Sequence, residues 1–167
     1  MTLQKKCVYL LYFVSYPCRM LEKIKKALYA TYTPDELKWV FFSGFWENQQ
    51  LIFSQWVVTT DKPLHELVES LYASFSDDQL KKTRYMVVDV VSDITEVHDL
   101  SEAMNVPTDE FGFAVVASDT NQSGVILPKT AGVSDAKSAL YDLKQKYDVH
   151  GKAEVYLFRT QRMIVAK

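Results

Sequence analysis

Two apolar runs joined by a short polar loop constrain the fold of this chain more than any other feature of its sequence. The runs are Trp39–Trp46 and Leu51–Val58, and the loop is Glu47–Gln50. Both runs are rich in aromatic and β-branched residues, which favour strands, and the loop has an ordinary hairpin length. We therefore predict a β-hairpin here. Gly44, inside its first strand, indicates a bulge or a close approach of another part of the chain.

Further apolar patterns extend this hairpin into a larger fold. Helical spacing predicts helices after Cys18, Asp61 and Ser134, and a short helix is expected over Leu100–Asn105. Because strands outnumber helices and mostly follow one another as hairpins, we expect one α+β domain, residues 1–167, with a mainly antiparallel sheet flanked by helices. This arrangement leaves room for a smaller subdomain. The other strand-like segments are Cys7–Val14, Arg84–Val91, Gly112–Ser118, Gly124–Leu127, Ala153–Phe158 and Met163–Ala166.

Local signals predict where several helices begin and which strand is central. Thr33 and Glu36 form a capping-box pattern with proline between them, which predicts a short helix. Asp61 and Ser134 are the predicted caps of the two later helices. The strand Arg84–Val91 is apolar on both faces apart from its aspartate, so it is expected in the middle of the sheet.

Charge and cysteine usage limit the class of partner. The formal net charge is -2 and lysine pairs such as Lys81–Lys82 are scattered, which argues against a nucleic-acid binder. The hairpin aromatics could stack bases, but only one lysine and no arginine lie between residues 38 and 58, so core packing is favoured. Two cysteines, Cys7 and Cys18, form no disulfide framework. They could pair in one disulfide, but two buried thiols in a reducing, cytoplasmic compartment fit better. No apolar run is long enough to span a membrane.

The usual signatures of catalysis are missing from the sequence. It contains no glycine-rich phosphate loop, no G-x-S-x-G nucleophile motif and no C-x-x-C pair. His65 and Glu69 have the spacing of two metal ligands on one helix face, but no third ligand is evident and a solvated surface is favoured. Asp77–Asp78 is interpreted as part of a loop. We therefore expect no catalytic residue, no metal and no cofactor.

The strand-like segments Trp39–Ser43 and Leu51–Trp56, together with several later ones, resemble in their order and pattern the AMMECR domain family. The resemblance covers roughly residues 18 to 165 and implies that family's α+β fold. Of the family's Leu-Arg-Gly-Cys-Ile-Gly motif only Leu51 is kept, so an activity that needs the family's thiol or arginine is not expected in this chain. The matching stretches are Trp39–Ser43, Leu51–Trp56, Pro63–Val68, Tyr85–Val91, Phe111–Val116 and Gly124–Pro128.

Two hypotheses about function follow. The first is a non-enzymatic protein-binding or scaffold domain that uses the aromatic hairpin as its surface, with another protein as partner and the oligomeric state open. The second is a divergent enzyme or small-ligand binder of the AMMECR-like family. In a regular strand Phe53 and Trp56 would point to opposite faces, so one of them is expected to be buried. The candidate surface residues are Phe53, Ser54, Gln55, Trp56, His65 and Lys129.

Overall fold

The computed structural model describes residues 16–58, 61–117, 122–146 and 153–167, and within them the chain forms five helices and six strands. The predicted strand Cys7–Val14 lies outside the described residues. The elements are α1 (Tyr16–Tyr29), β1 (Val40–Phe45), β2 (Leu51–Val57), α2 (Leu64–Ser74), α3 (Asp77–Lys82), β3 (Tyr85–Val97), α4 (Leu100–Met104), β4 (Gly112–Ala117), β5 (Ser123–Ile126), α5 (Ala136–Lys146) and β6 (Ala153–Ala166).

The strands form a six-stranded antiparallel sheet in the order β2-β1-β3-β6-β4-β5. The α+β prediction is therefore confirmed, as are both hairpins, which are β1–β2 and β4–β5. The central position predicted for β3 is also correct. The described residues divide into two compact units. The first runs to Asp89 and includes Arg162–Lys167, and the second is Val90–Gln161.

The core of the first unit forms where α2 and α3 pack on the β1–β2 hairpin and α1 packs on those two helices. The apolar stripe of α2 is buried as its spacing predicts, and Ile24 and Leu28 of α1 are fully buried. Burying each such side chain contributes about 1.5–3 kcal/mol. The core residues of α2 and its C-terminal end are Leu64, Leu67, Val68, Leu71, Tyr72 and Phe75.

In the second unit, α5 packs against β4 and β5, and α4 packs against α5. Its buried cluster consists of small and branched residues, with Phe113 as a fully buried large side chain. Asp135 caps α5, because the Ser138 N–H donates to its Oδ1 at 2.8 Å. The predicted cap, Ser134, instead donates its hydroxyl to the Asp135 carboxylate at 3.1 Å. The prediction placed the cap one residue too early.

The helix predicted from the Thr33 capping box does not form. Glu36 does accept a hydrogen bond from the Thr33 N–H at 2.7 Å, but only a single turn results. The carbonyls of Pro34 and Glu36 accept the N–H groups of His65 and Leu64 at 2.9 and 2.8 Å. These two carbonyls therefore cap the first turn of α2 and cannot continue a local helix.

The same contacts explain why Asp61 does not cap α2 as predicted. The N-cap residue of α2 is Pro63, which makes no side-chain capping bond. Two of the amides that a side chain would cap at this helix end are already bonded to the turn at Pro34–Glu36. A tertiary contact has replaced the local cap.

Three further elements differ from the sequence-based prediction. Asp77 and Asp78 lie in the first turn of α3 and not in a loop, because Ser76 and Gln79 form a full capping box. β3 continues to Val97, well beyond the predicted strand end. The two strands predicted near the end of the chain are one continuous strand, β6.

Acid should destabilise the fold through its capping carboxylates. Backbone hydrogen bonds from Thr33, Ser101 and Ser138 hold the pKa values of Glu36, Asp99 and Asp135 below their ordinary values of 4.5, 3.8 and 3.8. A carboxyl group with a lowered folded-state pKa stabilises the fold above its unfolded-state pKa, and this contribution is lost as the pH falls through the folded value.

We therefore expect the melting temperature to fall below about pH 4.5. Calorimetry between neutral pH and about pH 3 measures the fall. The melting temperature of a variant with Glu36→Gln, Asp99→Asn and Asp135→Asn should fall less steeply with pH, because those positions no longer titrate. An identical pH profile for variant and wild type would contradict the assignment.

Candidate functional site

β2 carries four of the six candidate residues and forms one edge of the sheet, paired only with β1 among the described strands. Phe53 lies opposite Gly44 in this pair, and its side chain is buried. Its ring stacks on Phe75 with centroids 4.0 Å apart. Phe53 is therefore a core residue that supports β2 from within, and its ring does not contribute to the surface.

The other three β2 candidates differ in how much they offer to a partner. Gln55 is exposed, whereas Ser54 and Trp56 are half-buried. The Ser43 hydroxyl donates toward the Ser54 hydroxyl oxygen across the pair at 3.4 Å. Trp56 lies directly opposite Phe41. The expectation that one of Phe53 and Trp56 is buried is confirmed, and Phe53 is the buried one.

A bulge interrupts β2 near its first residue. Gly44 pairs with Phe53 whereas the next residue, Phe45, pairs with Leu51, so Ile52 is an extra residue on the edge strand. Leu51 is 52% exposed beside this bulge. Gly44 was expected to mark a bulge or a close approach, and both occur beside it: the extra residue of the bulge lies on the partner strand, and the Phe53 ring lies close over Gly44. The regular part of the edge runs from Phe53 to Val57.

An aromatic ring and a guanidinium group are held together at the tip of the hairpin, a pair that no pattern in the sequence indicates. Trp46 is exposed, and the Arg84 guanidinium lies 5.5 Å from its ring centroid. Arg84 also forms an ion pair with Glu47 through Nε at 3.1 Å. Trp46 could have been noticed as a tryptophan next to a polar loop, but the position of Arg84 depends on the tertiary fold.

His65 and Glu69 do not converge on a common ligand. His65 Nδ1 lies 3.0 Å from the Pro34 carbonyl oxygen and 3.6 Å from Asp35 Oδ1. Glu69 accepts a hydrogen bond from the Lys25 ammonium at 2.7 Å. Within the described residues, no three histidine, cysteine or acidic side chains lie together as a metal site would require.

Lys129 follows β5 in the second unit, whereas the other candidates belong to the first. Its backbone has a φ of 61°, in the left-handed region that residues other than glycine adopt uncommonly and mainly in turns. Its N–H donates to the Thr108 carbonyl at 3.0 Å. The local structure therefore gives this position a turn-forming role.

The tyrosine hydroxyl with the most perturbed pKa among the described residues belongs to Tyr156 of β6. Tyr156 donates its hydroxyl to Glu154 at 2.6 Å, and this bond together with burial raises the pKa of Tyr156 to about 12. That phenol stays protonated at neutral pH.

Among the described residues, no helix combines the length and the apolar character needed to cross a membrane.

Comparison with known proteins supports the fold. The structure is similar to the crystal structure of uncharacterized protein PH0010 from Pyrococcus horikoshii, with a TM-score of 0.64 and 16% sequence identity. The similarity covers 89% of this chain and 87% of that one. A scan against protein-family models found no match, and a search of curated proteins also found none.

Proposed function

We propose that this protein is a non-enzymatic protein-binding domain that adds an extended segment of another protein to the edge strand β2. The observation that carries this proposal is the position of β2 at the edge of the described sheet. β2 is the outermost strand on its side of the described sheet, and the residues from Leu51 to Val57 include no charge and no proline. Charges and proline are the usual devices by which proteins prevent pairing at an edge.

Edge pairing supplies affinity through main-chain hydrogen bonds and specificity through side chains that alternate along the strand. Gln55 projects from the regular part of β2 and can bond to a partner's backbone or side chain. The bulge at Ile52 bends the strand at one end, so the proposed docking segment is Phe53–Val57.

The hairpin tip, with Trp46 and Arg84, would give the partner a second contact. Tryptophan and arginine are the side chains most enriched among residues that dominate binding energy. Arg84 is fixed by Glu47 and by the Trp46 ring, so less side-chain entropy is lost when a partner binds. The cytoplasmic location and the AMMECR relationship remain predictions, and the proposed binding does not depend on either.

The test uses two charges placed on the edge. Leu51→Lys/Gln55→Lys should reduce recovery of the partner from native lysate about tenfold, because a desolvated lysine opposes strand pairing. Tyr141→Lys/Gln145→Lys is the matched control, since it also introduces two lysines in place of an exposed apolar residue and an exposed glutamine, but on α5. The control should bind like the wild type.

Hydrogen exchange then locates the contact. The purified partner should slow amide exchange within Leu51–Val57 of the wild-type protein. Equal recovery by both variants and the wild type, or protection confined to other elements, would rule out binding at this edge.

A further inference from the structure

A basic cleft lies on the first unit and is separate from the residues of β2. It has a volume of about 280 Å³ and is lined by Arg19, Met20, Lys23 and Lys167. Three of these four residues have cationic side chains, and none has an acidic side chain. The chain as a whole has a formal net charge of -2, so this concentration of cations is not a reflection of composition.

The ammonium groups of the cleft are held in place by backbone carbonyls. Lys23 donates to the Ala166 carbonyl at 3.1 Å. Lys167 donates to the carbonyls of Leu80 and Lys81 at 3.2 and 2.9 Å. An ammonium carries three donors, so the bond made by Lys23 leaves it donors for a ligand.

An apolar floor adjoins these cations. A cavity of about 20 Å³ shares Met20 and Lys167 with the cleft and is too small for more than about one water molecule. Its other lining residues are Tyr72, Leu80, Lys81, Thr83 and Met86. Met20 lines both spaces and is itself largely buried, so the cleft offers a ligand cationic side chains beside an apolar floor.

One cation of the cleft lies in surroundings that disfavour its charge. Partial burial and the nearby charge of Arg84 lower the pKa of Lys167. Lys81–Lys82 was interpreted as one of several scattered pairs, but the fold brings Lys81 to the same cavity as Lys167. An anion beside Lys167 would favour the charged form of its ammonium group.

We infer that the cleft defined by Arg19, Lys23 and Lys167 binds an acidic polypeptide segment that carries apolar side chains between its carboxylates. Lysine is a point charge on a flexible stem and tolerates carboxylates in varied geometry. A nucleic acid fits less well, because the described residues that line the cleft include no aromatic side chain on which a base could stack. This inference is independent of the proposed binding at β2.

The probe for the test is a short fluorescein-labelled peptide of alternating glutamate and leucine, with a glutamine–leucine peptide as its neutral counterpart. Fluorescence anisotropy measures binding to the full chain. The acidic peptide should bind, and its affinity should fall between about 50 mM and about 200 mM salt because exposed charges are screened. The neutral peptide should bind at least about tenfold more weakly.

Two variants with the same change in net charge separate the cleft from the general charge of the protein. Arg19→Glu/Lys23→Glu should weaken binding of the acidic peptide about tenfold or more. Lys137→Glu/Lys144→Glu changes two exposed lysines of α5. Its affinity for the acidic peptide should stay within about twofold of the wild-type value. Far-ultraviolet circular dichroism confirms that both variants are folded.

Three outcomes would overturn the inference. They are no binding of the acidic peptide, equal losses in both variants, and tighter binding of a single-stranded oligonucleotide than of the peptide. The third outcome would assign the cleft to nucleic acid. Because neither variant changes β2, a negative result here leaves the edge-strand test unaffected.

Discussion

Arg162→Met should lower the free energy of unfolding by about 3 kcal/mol. Asp89 lies in β3 and is completely buried. Arg162 donates to both of its carboxylate oxygens, from Nε at 2.9 Å and from the terminal NH₂ at 3.1 Å. Removing the guanidinium group leaves a buried carboxylate without its bidentate donor, and the desolvation of that charge is no longer offset.

Urea unfolding measures this effect, and two other variants show whether the buried charge causes it. Arg159→Met changes an arginine of the same strand whose partner, Glu110, is exposed. This substitution should lower the free energy of unfolding by about 1 kcal/mol. Asp89→Val/Arg162→Met removes both charges and should be more stable than Arg162→Met alone, because an apolar pair leaves no charge to compensate. Equal losses for Arg159→Met and Arg162→Met would contradict this explanation.

The parts of the fold that the sequence predicts correctly are those set by local patterns of apolar residues. The β1–β2 hairpin and the buried stripe of α2 both follow from spacing alone. α3 was missed because its six residues include no buried side chain, although Ser76 and Gln79 carry a capping-box signal. The second half of β3 was missed because exposed polar side chains, such as Asp93 and Glu96, give no strand-like alternation.

The candidate site was less predictable, because its features depend on residues that are distant in sequence. The alternation of side chains predicts that either Phe53 or Trp56 is buried. Phe53 is the buried one because its ring occupies the space that Gly44, which has no side chain, leaves on the opposite strand. The basic cleft combines α1 with Lys167, and no pattern of charge along the sequence reveals this proximity. The AMMECR resemblance remains a prediction, since the structural similarity at 16% identity supports the fold alone.

Gly112→Ala should destabilise the protein by about 3 kcal/mol, at the upper end of the cost of overpacking. A Cβ at this position would lie 2.4 Å from Phe158 Cζ and 2.8 Å from the backbone oxygen of Ile126. The Phe158 contact is with the far end of a side chain, whereas the carbonyl belongs to the neighbouring strand β5 and can move only if the strand moves with it.

Gly44 provides the comparison that isolates the role of this carbonyl. A Cβ at Gly44 would lie 2.3 Å from Phe53 Cζ, and its nearest neighbours are all atoms of that ring. Phe53→Leu should therefore recover part of the stability that Gly44→Ala loses, because the smaller side chain leaves room for the methyl group. Phe158→Leu should give little recovery in Gly112→Ala, since the Ile126 oxygen still blocks the Cβ. Chemical denaturation of the two single and two double variants checks both statements, and equal recovery at the two glycines would show that the ring alone limits Gly112.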